Sequence, residues 1–459
     1  MSVGATPSLT FIGETVGGVA PHAMSEMYRI RFASGNSPLS GTISLGDFRN
    51  KTLVETMVER AKIQASDLED SDYFGISASI SSDGNTAIVG AVLWDRTDGF
   101  QLGAAYIFTR SSDGSWTEQT KIQASDKEAR DYFGRAVSIS SDGNTALVGA
   151  AYEDTGAFDA GAAYIFVRSS GGLWTEQAKV QASDKQQSDW FGLSVSISGD
   201  GNTALVGASL EDTGVTDAGA AYIFVRSGTT WTQQAKIQAS DKQQSDRFGY
   251  SVSISSDGNT ALVGAFQEDT GGTNAGAAYI FTRSGGLWDQ QQKIQASDKQ
   301  ADDWFGWSVS ISGDGNTALV ASYGDDTGGG NAGAAHIFVR SSGGLWTEQA
   351  KVQASDKQAS DRFGYSVSIS SDGNTAIVGA RLEDTGGTDA GAVYIFTRSG
   401  TTWTQKQKIQ ASDYQAGDNF GESVSISSDG NTALVGAAYE DTGATSAGAA
   451  YVFENSYYI

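Results

Sequence analysis

Cysteine is absent from the 459 residues, histidine occurs twice and proline three times, and 30 Lys plus Arg face 54 Asp plus Glu. Without thiols there is no disulfide framework, no thiolate nucleophile and no sulfur-ligated metal. Two histidines, His22 and His336, cannot build a Ser-His-Asp relay or a His-rich metal centre. The formal charge of -24, with no cluster of Lys and Arg free of neighbouring Asp or Glu, excludes a phosphate-binding nucleic-acid surface. No apolar run approaches a membrane span, and Met1–Thr10 has neither the basic nor the apolar stretch of a secretory signal. A place outside the cell is therefore expected to be reached by another route.

Glycine is abundant, with 58 residues, as in chains with many tight turns between short strands. One hydrophobic core does not extend over 459 residues, so the chain is either several domains or a repeat array. The pair Phe-Gly decides for the array: it recurs at Phe74, Phe133, Phe191, Phe248, Phe305, Phe363 and Phe420, 57 to 59 residues apart. Each unit reads F-G-x-S-V-S-I-S, a D-G-N turn, T-A-L-V-G-A, an acidic E-D-T-G loop, A-G-A-A-Y-I-F, a Gly-rich turn, and W-T-x-Q-x-K-[IV]-Q-A-S-D. Alternation in S-V-S-I-S, the run Tyr164-Ile165-Phe166-Val167 and the Asp-Gly hairpin signal give four antiparallel strands per unit and no helix. Seven such units predict an all-β, seven-bladed β-propeller over residues 54–459, preceded by a small irregular module at 1–53.

The fourth strand carries Trp116, Trp174, Trp231, Trp288, Trp346 and Trp403, one short of seven. The last unit stops after its third strand, Ala449 to Phe453, while Ala61-Lys62-Ile63-Gln64-Ala65 ahead of the first Phe-Gly matches a fourth strand, with Met57 in the Trp position. The N-terminal strand is thus expected to complete the last blade and leave the ring no open edge.

The units, F-G-x-S-V-S-I-S followed by V-G-A, resemble the FG-GAP repeat family, and the A-S-D-x4-D-x-F-G and A-Y-I-F-x-R-S-G-x-x-W-T-Q surroundings resemble its bacterial and phage-type branch. The resemblance covers about 400 residues. It implies the propeller of integrin α-chain heads and a role in adhesion or ligand binding. Calcium-binding members carry a D-x-[DN]-x-D-G-x-x-D loop. Here the corresponding turn, Ser198-Gly199-Asp200-Gly201-Asn202, is about four residues shorter with a single carboxylate, so no metal and no cofactor are expected, and calcium is disfavoured. Asp184, Asp189 and Asp212 in the acidic loops would be its first ligands; turn capping is the preferred reading of them.

Strand order puts the two short turns on one face of the disc and both acidic connections on the other. That second face holds 28 positions, nearly all acidic, and is expected to be strongly negative. It also holds what differs between copies. The candidate ligand-binding residues are Trp190, Arg247, Trp304 and Arg362 before Phe-Gly, Tyr250, Trp307 and Tyr365 after it, and Trp94 with Phe100 in the divergent first acidic loop. Aromatic and Arg side chains anchor interfaces and stack on sugars; the competing reading packs them between blades. No singular carboxylate pair marks a glycosidase site, so no catalytic residue is expected.

All three prolines fall in residues 1–53, where Ile43-Ser44-Leu45-Gly46-Asp47-Phe48 resembles a motif common near the termini of tailed-phage virion proteins. That segment is read as an anchor into a larger assembly. The expectation is a non-enzymatic virion structural or tail-fibre-type protein, located on a virion or extracellular surface and presenting its propeller to a host-surface glycan or protein or serving as a decoration. The alternatives are a bacterial surface or exported adhesion protein and, third, a glycan hydrolase.

Overall fold

The computed structural model describes residues 54–94 and 101–458; the N-terminal segment 1–53, with its anchoring motif and His22, and the loop residue Phe100 lie outside the described residues. Among the described residues every regular element is a strand, and the strands form seven four-stranded antiparallel sheets. The all-β, seven-bladed propeller is therefore the observed fold. In the third blade the strands, counted outward from the axis, are Phe191–Ile197, Thr203–Ala208, Ala220–Ser227 and Thr230–Ile237, each hydrogen-bonded to the next.

Local chemistry fixes the hairpins. At the first turn Asp200 accepts the Ser198 hydroxyl and the Asn202 amide, the Ser198 hydroxyl oxygen accepts the Thr203 amide, and Gly201 takes φ 68°. The second strand, T-A-L-V-G-A, is buried along its whole length, so both of its faces are apolar. Its Gly207 lies against the next blade: a Cβ there would sit 1.9 Å from the Gly249 carbonyl oxygen.

The hydrophobic cores lie between blades. Leu147, Ile165 and Val180 of blade 2 pack with Phe191, Val206, Tyr222, Phe224 and Trp231 of blade 3. Phe191, wholly buried, meets Tyr222 and Phe224 edge-on at 5.5 and 5.9 Å, the favoured aromatic geometry. A blade thus has no core of its own, which is why closure matters.

The last sheet runs Val54–Ile63, Ala449–Tyr458, Thr432–Ala437 and Ser423–Ile426, so the N-terminal strand is its outer edge. Ile63 joins Leu434, Ala450 and Val452 in one core with Phe74, Val89 and Tyr106 of blade 1. Residues 59–453 form one compact unit; of the other unit, the described part is the paired strand ends 54–58 and 454–458, where Asn455 donates to Glu55 at 3.0 Å.

At the short-turn end of the axis a belt of backbone hydrogen bonds runs from blade to blade. Ser82 donates to Ser141, Ser141 to Gly199, Gly199 to Ser256, Ser256 to Gly313, Asp314 to Ser371, Ser371 to Ser428 and Ser428 back to Ser82, at 2.9 to 3.2 Å. The belt's serine hydroxyls crowd the axis: Ser371 bonds Ser428 at 2.8 Å and Ser428 bonds Ser82 at 2.6 Å. A Cβ on Gly313 would come within 2.6 Å of the Ser371 hydroxyl. The axial channel is therefore narrow here, and its wide end opens on the acidic face.

Candidate functional site

The acidic loops fold into one repeated cluster. In blade 3 the Lys236 ammonium bridges Asp184 at 2.7 Å and the fully buried Glu211 at 2.6 Å, and the Tyr222 hydroxyl donates to Asp184 at 2.9 Å. Burial opposes ionisation of Asp184, but the bonds from Lys236 and Tyr222 outweigh it and lower its pKa. Asp189, buried, accepts the Gln186 amide, and burial pushes its carboxyl up to about 6. Asp212 accepts the Asp217 amide at 2.6 Å. One lysine in the cluster thus holds two carboxylates inside the scaffold.

Two blades vary this cluster. In blade 5, His336 replaces the Tyr; buried, it stacks edge-on on Phe305 and its Nδ1 bonds Glu348 at 2.9 Å. Asp298, Asp325 and His336 could together face an ion, but the Lys351 ammonium already bonds both carboxylates, at 2.7 and 2.6 Å. In blade 1, Trp94 stands where the other blades have a carboxylate, Glu or, in blade 5, Asp325, and Lys121 lies over its ring at 3.6 Å. Trp94 is 6% exposed and packed in the core that joins blades 7 and 1. The expectation that it faces a ligand is corrected: an indole in that slot substitutes for the missing carboxylate as the lysine's partner.

The wide end of the channel is where the copies diverge. It is a cavity of about 230 Å³ whose wall takes the two or three residues that follow each Phe-Gly, the first of them being Ile76, Arg135, Leu193, Tyr250, Trp307, Tyr365 and Glu422. Blades 4 to 6 supply rings in sequence: Tyr250 lies 4.7 Å from Trp307, and Trp307 lies 5.7 Å from Tyr365. The position after V-G-A continues this wall toward the acidic face, because in blade 3 its residue, Ser209, follows Ala208, which pairs with Phe191. There Phe266 contacts Tyr250 at 4.5 Å and Tyr323 contacts Trp307 at 4.4 Å. Arg381 lies over Tyr365 at 4.0 Å and pairs with the buried Glu422 at 2.9 Å. Burial works against the Arg381 charge, but Glu422 and Tyr365 outweigh it and raise its pKa, while burial pushes the Tyr250 hydroxyl up to about 12. Blades 1 and 3 place Ile76 and Leu193 at the same height, and blade 2 places Arg135, whose guanidinium makes no hydrogen bond or ion pair among the described residues.

The residues before Phe-Gly do not reach this wall. Each has left-handed backbone, φ between 54 and 61°, a conformation that suits Asn419 and strains the bulkier members. Trp304 stacks on Tyr323 at 4.8 Å and Arg362 lies over Tyr323 at 5.5 Å, so both brace the wall from behind. Arg247 bonds Gln267 at 3.1 Å and approaches Asp217 at 3.6 Å, and Trp190 stacks on Tyr152 at 5.3 Å. The structure thus joins Tyr250, Trp307 and Tyr365 in one cavity, sets Trp304 and Arg362 behind it, and keeps Trp190 and Arg247 at inter-blade contacts. Phe266, Tyr323 and Arg381 escaped the sequence reading; the signal was there in the column after V-G-A, which reads Val92, Ala151, Ser209, Phe266, Tyr323, Arg381 and Ala438.

A copied seven-bladed scaffold with one unsymmetrical axial mouth defines a repeat propeller suited to a surface or binding role. The FG-GAP repeat model matches residues 57–108, 116–166, 174–224, 231–281, 288–338, 346–396 and 403–453. This chain belongs to the FG-GAP repeat family. The first match begins at Met57 and the others at the six fourth-strand tryptophans, so each sequence repeat starts one strand before its blade. No curated protein matches the chain. Among solved structures it is similar to the periplasmic gluconolactonase PpgL of Pseudomonas aeruginosa, at 15% identity and a TM-score of 0.51 over 74% of this chain and 86% of that one. At that identity the likeness concerns the fold alone.

Proposed function

We propose that this protein is a non-enzymatic recognition module that binds a ligand of a host surface in the axial mouth of its propeller. The observation that carries the reading is the break in symmetry. Hydrophobic, Tyr-Asp-Lys and D-G-N features repeat from blade to blade as folding requires, whereas the aromatic wall is confined to blades 4 to 6 and opens on a cavity. Folding alone does not call for it, since Ile76 and Leu193 fill the equivalent positions of blades 1 and 3. Among the described residues Glu422 is the one carboxylate on the cavity wall, and it is held by Arg381, which supports binding over hydrolysis. The setting we propose is a virion or tail-fibre-type component anchored by residues 1–53, a reading that rests on the Ile43–Phe48 motif.

The test is binding of the full chain to host cells and to a glycan array, with Trp307→Ala against Leu193→Ala as a symmetry-matched control. An anchor ring contributes on the order of 2 kcal/mol, a loss of roughly 30-fold, whereas the control changes little. Trp304→Asn, which suits the left-handed backbone, separates bracing of the wall from backbone strain. Equal binding by wild type, Trp307→Ala and Leu193→Ala refutes the axial site.

A further inference from the structure

Resting on the reading of the axial mouth as a binding site, we infer that its ligand is an acidic sugar: a pyranose bearing a carboxylate, displayed on a glycan. The cavity of about 230 Å³ equals roughly eight water volumes, room for one sugar ring. Its charges are unbalanced in an informative way. Arg381 and Glu422 neutralise each other at 2.9 Å, which leaves Arg135 as the uncompensated charge of the wall, in a chain whose net charge is -24. A positive mouth on so acidic a protein selects for an anion.

Arg135 stands on blade 2 and the rings on blades 4 to 6, so the guanidinium faces the aromatic wall across the channel. Its charge is felt at the far side, where it favours ionisation of the Tyr250 and Tyr365 hydroxyls against their burial. Its own donors are unused among the described residues. A free guanidinium recognises a planar carboxylate through two parallel N–H···O bonds. Opposite it, the ring faces of Trp307 and Tyr250 suit the C–H face of a pyranose. The hydroxyls of Tyr250 and Tyr365 make no hydrogen bond among the described residues and can serve the sugar's hydroxyls. A neutral sugar leaves Arg135 without a partner, and a bare anion leaves the aromatic wall uncovered. The combination of the two fits a sugar acid.

The experiment measures binding of methyl β-glucuronoside and methyl β-glucoside to the full chain by saturation-transfer NMR and calorimetry, at low and high salt, for wild type, Arg135→Gln and Trp307→Ala. Melting curves confirm folding, which Arg135→Gln leaves intact because the Arg135 guanidinium bonds nothing among the described residues and the backbone bond of Arg135 to the Tyr132 carbonyl is kept. The glucuronoside is expected to bind at least tenfold more tightly than the glucoside, with the advantage abolished by Arg135→Gln and reduced by salt. Trp307→Ala is expected to weaken both sugars. Equal affinity for the two sugars, or an Arg135→Gln variant that keeps the preference, overturns the acidic assignment while leaving the axial site standing. Failure of both sugars to bind also overturns it, and the axial site is then judged by the cell-binding loss of Trp307→Ala alone.

Discussion

Replacing Lys62 by Met removes a cation that the N-terminal strand contributes to blade 7, and the symmetry of the ring supplies the control. Lys62 bonds Asp413 at 2.8 Å and Glu440 at 2.8 Å; in blade 2, Lys179 bonds Asp126 at 2.7 Å and Glu153 at 2.6 Å. Glu440 is fully buried. Removing one partner of a buried pair costs about 3 to 5 kcal/mol because the other charge is stranded. Here Gln64 and the Thr442 amide still bond Glu440, at 3.2 and 2.8 Å, and Asp413 is 40% exposed. Screening and retained bonds bring the expected cost to about 2 to 3 kcal/mol. If the N-terminal strand closes the ring, Lys62→Met and Lys179→Met lower the urea midpoint equally, although one residue lies near the start of the chain and the other inside an uninterrupted blade. A Lys62→Met variant that melts as wild type, beside a destabilised Lys179→Met, refutes closure.

Three further outcomes follow from the same structure. Burial raises the carboxyls of Asp131 to about 7 and of Asp189, Asp246, Asp303, Asp361 and Asp418 to about 6, against an ordinary 3.8. Groups raised in the fold stabilise it fully below pH 3.8 and lose that contribution as pH climbs through 6 to 7. The Lys-paired Asp67, Asp126, Asp184, Asp241, Asp298, Asp356 and Asp413 are lowered instead, and their contribution, present above 3.8, is lost as pH falls further. Tm is therefore expected to rise as pH is taken from 8 to 5 and to drop below about 3.8; a Tm that climbs from pH 5 to 8 contradicts this. Gly207→Ala forces a methyl to 1.9 Å from the Gly249 carbonyl oxygen and is expected to cost about 1 to 3 kcal/mol by denaturant melting. Trp94→Ala is expected to cost about 3 kcal/mol of stability while leaving cell binding unchanged, the reverse of Trp307→Ala.

The fold was legible because every unit states it again. Seven copies of F-G and D-G-N, V-G-A in six units and Trp in six fourth strands gave strand count, turn type and closure, and Ala61–Ala65 could be matched to a fourth strand only because six other fourth strands were there for comparison. The site was legible in part. Column-by-column variation picked out Tyr250, Trp307 and Tyr365, which the fold does bring into one cavity. It also picked out Trp190 and Arg247, since variation alone does not say whether a side chain turns to the axis or to the neighbouring blade; the left-handed backbone before Phe-Gly decides that. Trp94 misled for a related reason: an exceptional residue in an exceptional loop suggested display, but its ring lies in the core beneath Lys121, which Asp67 pairs from the other side of the cluster. The pairing of Arg381 with Glu422 spans two blades, and no pattern within a repeat predicts it.

The most direct test of the central claim is a crystal structure of the full chain soaked with whichever glycan the array identifies. Ligand density is expected in the axial mouth on the acidic side of the ring, in contact with Tyr250, Trp307 and Tyr365 and within hydrogen-bond reach of Arg135. Density on the outer strands or at the short-turn face, with the mouth holding only water, contradicts it.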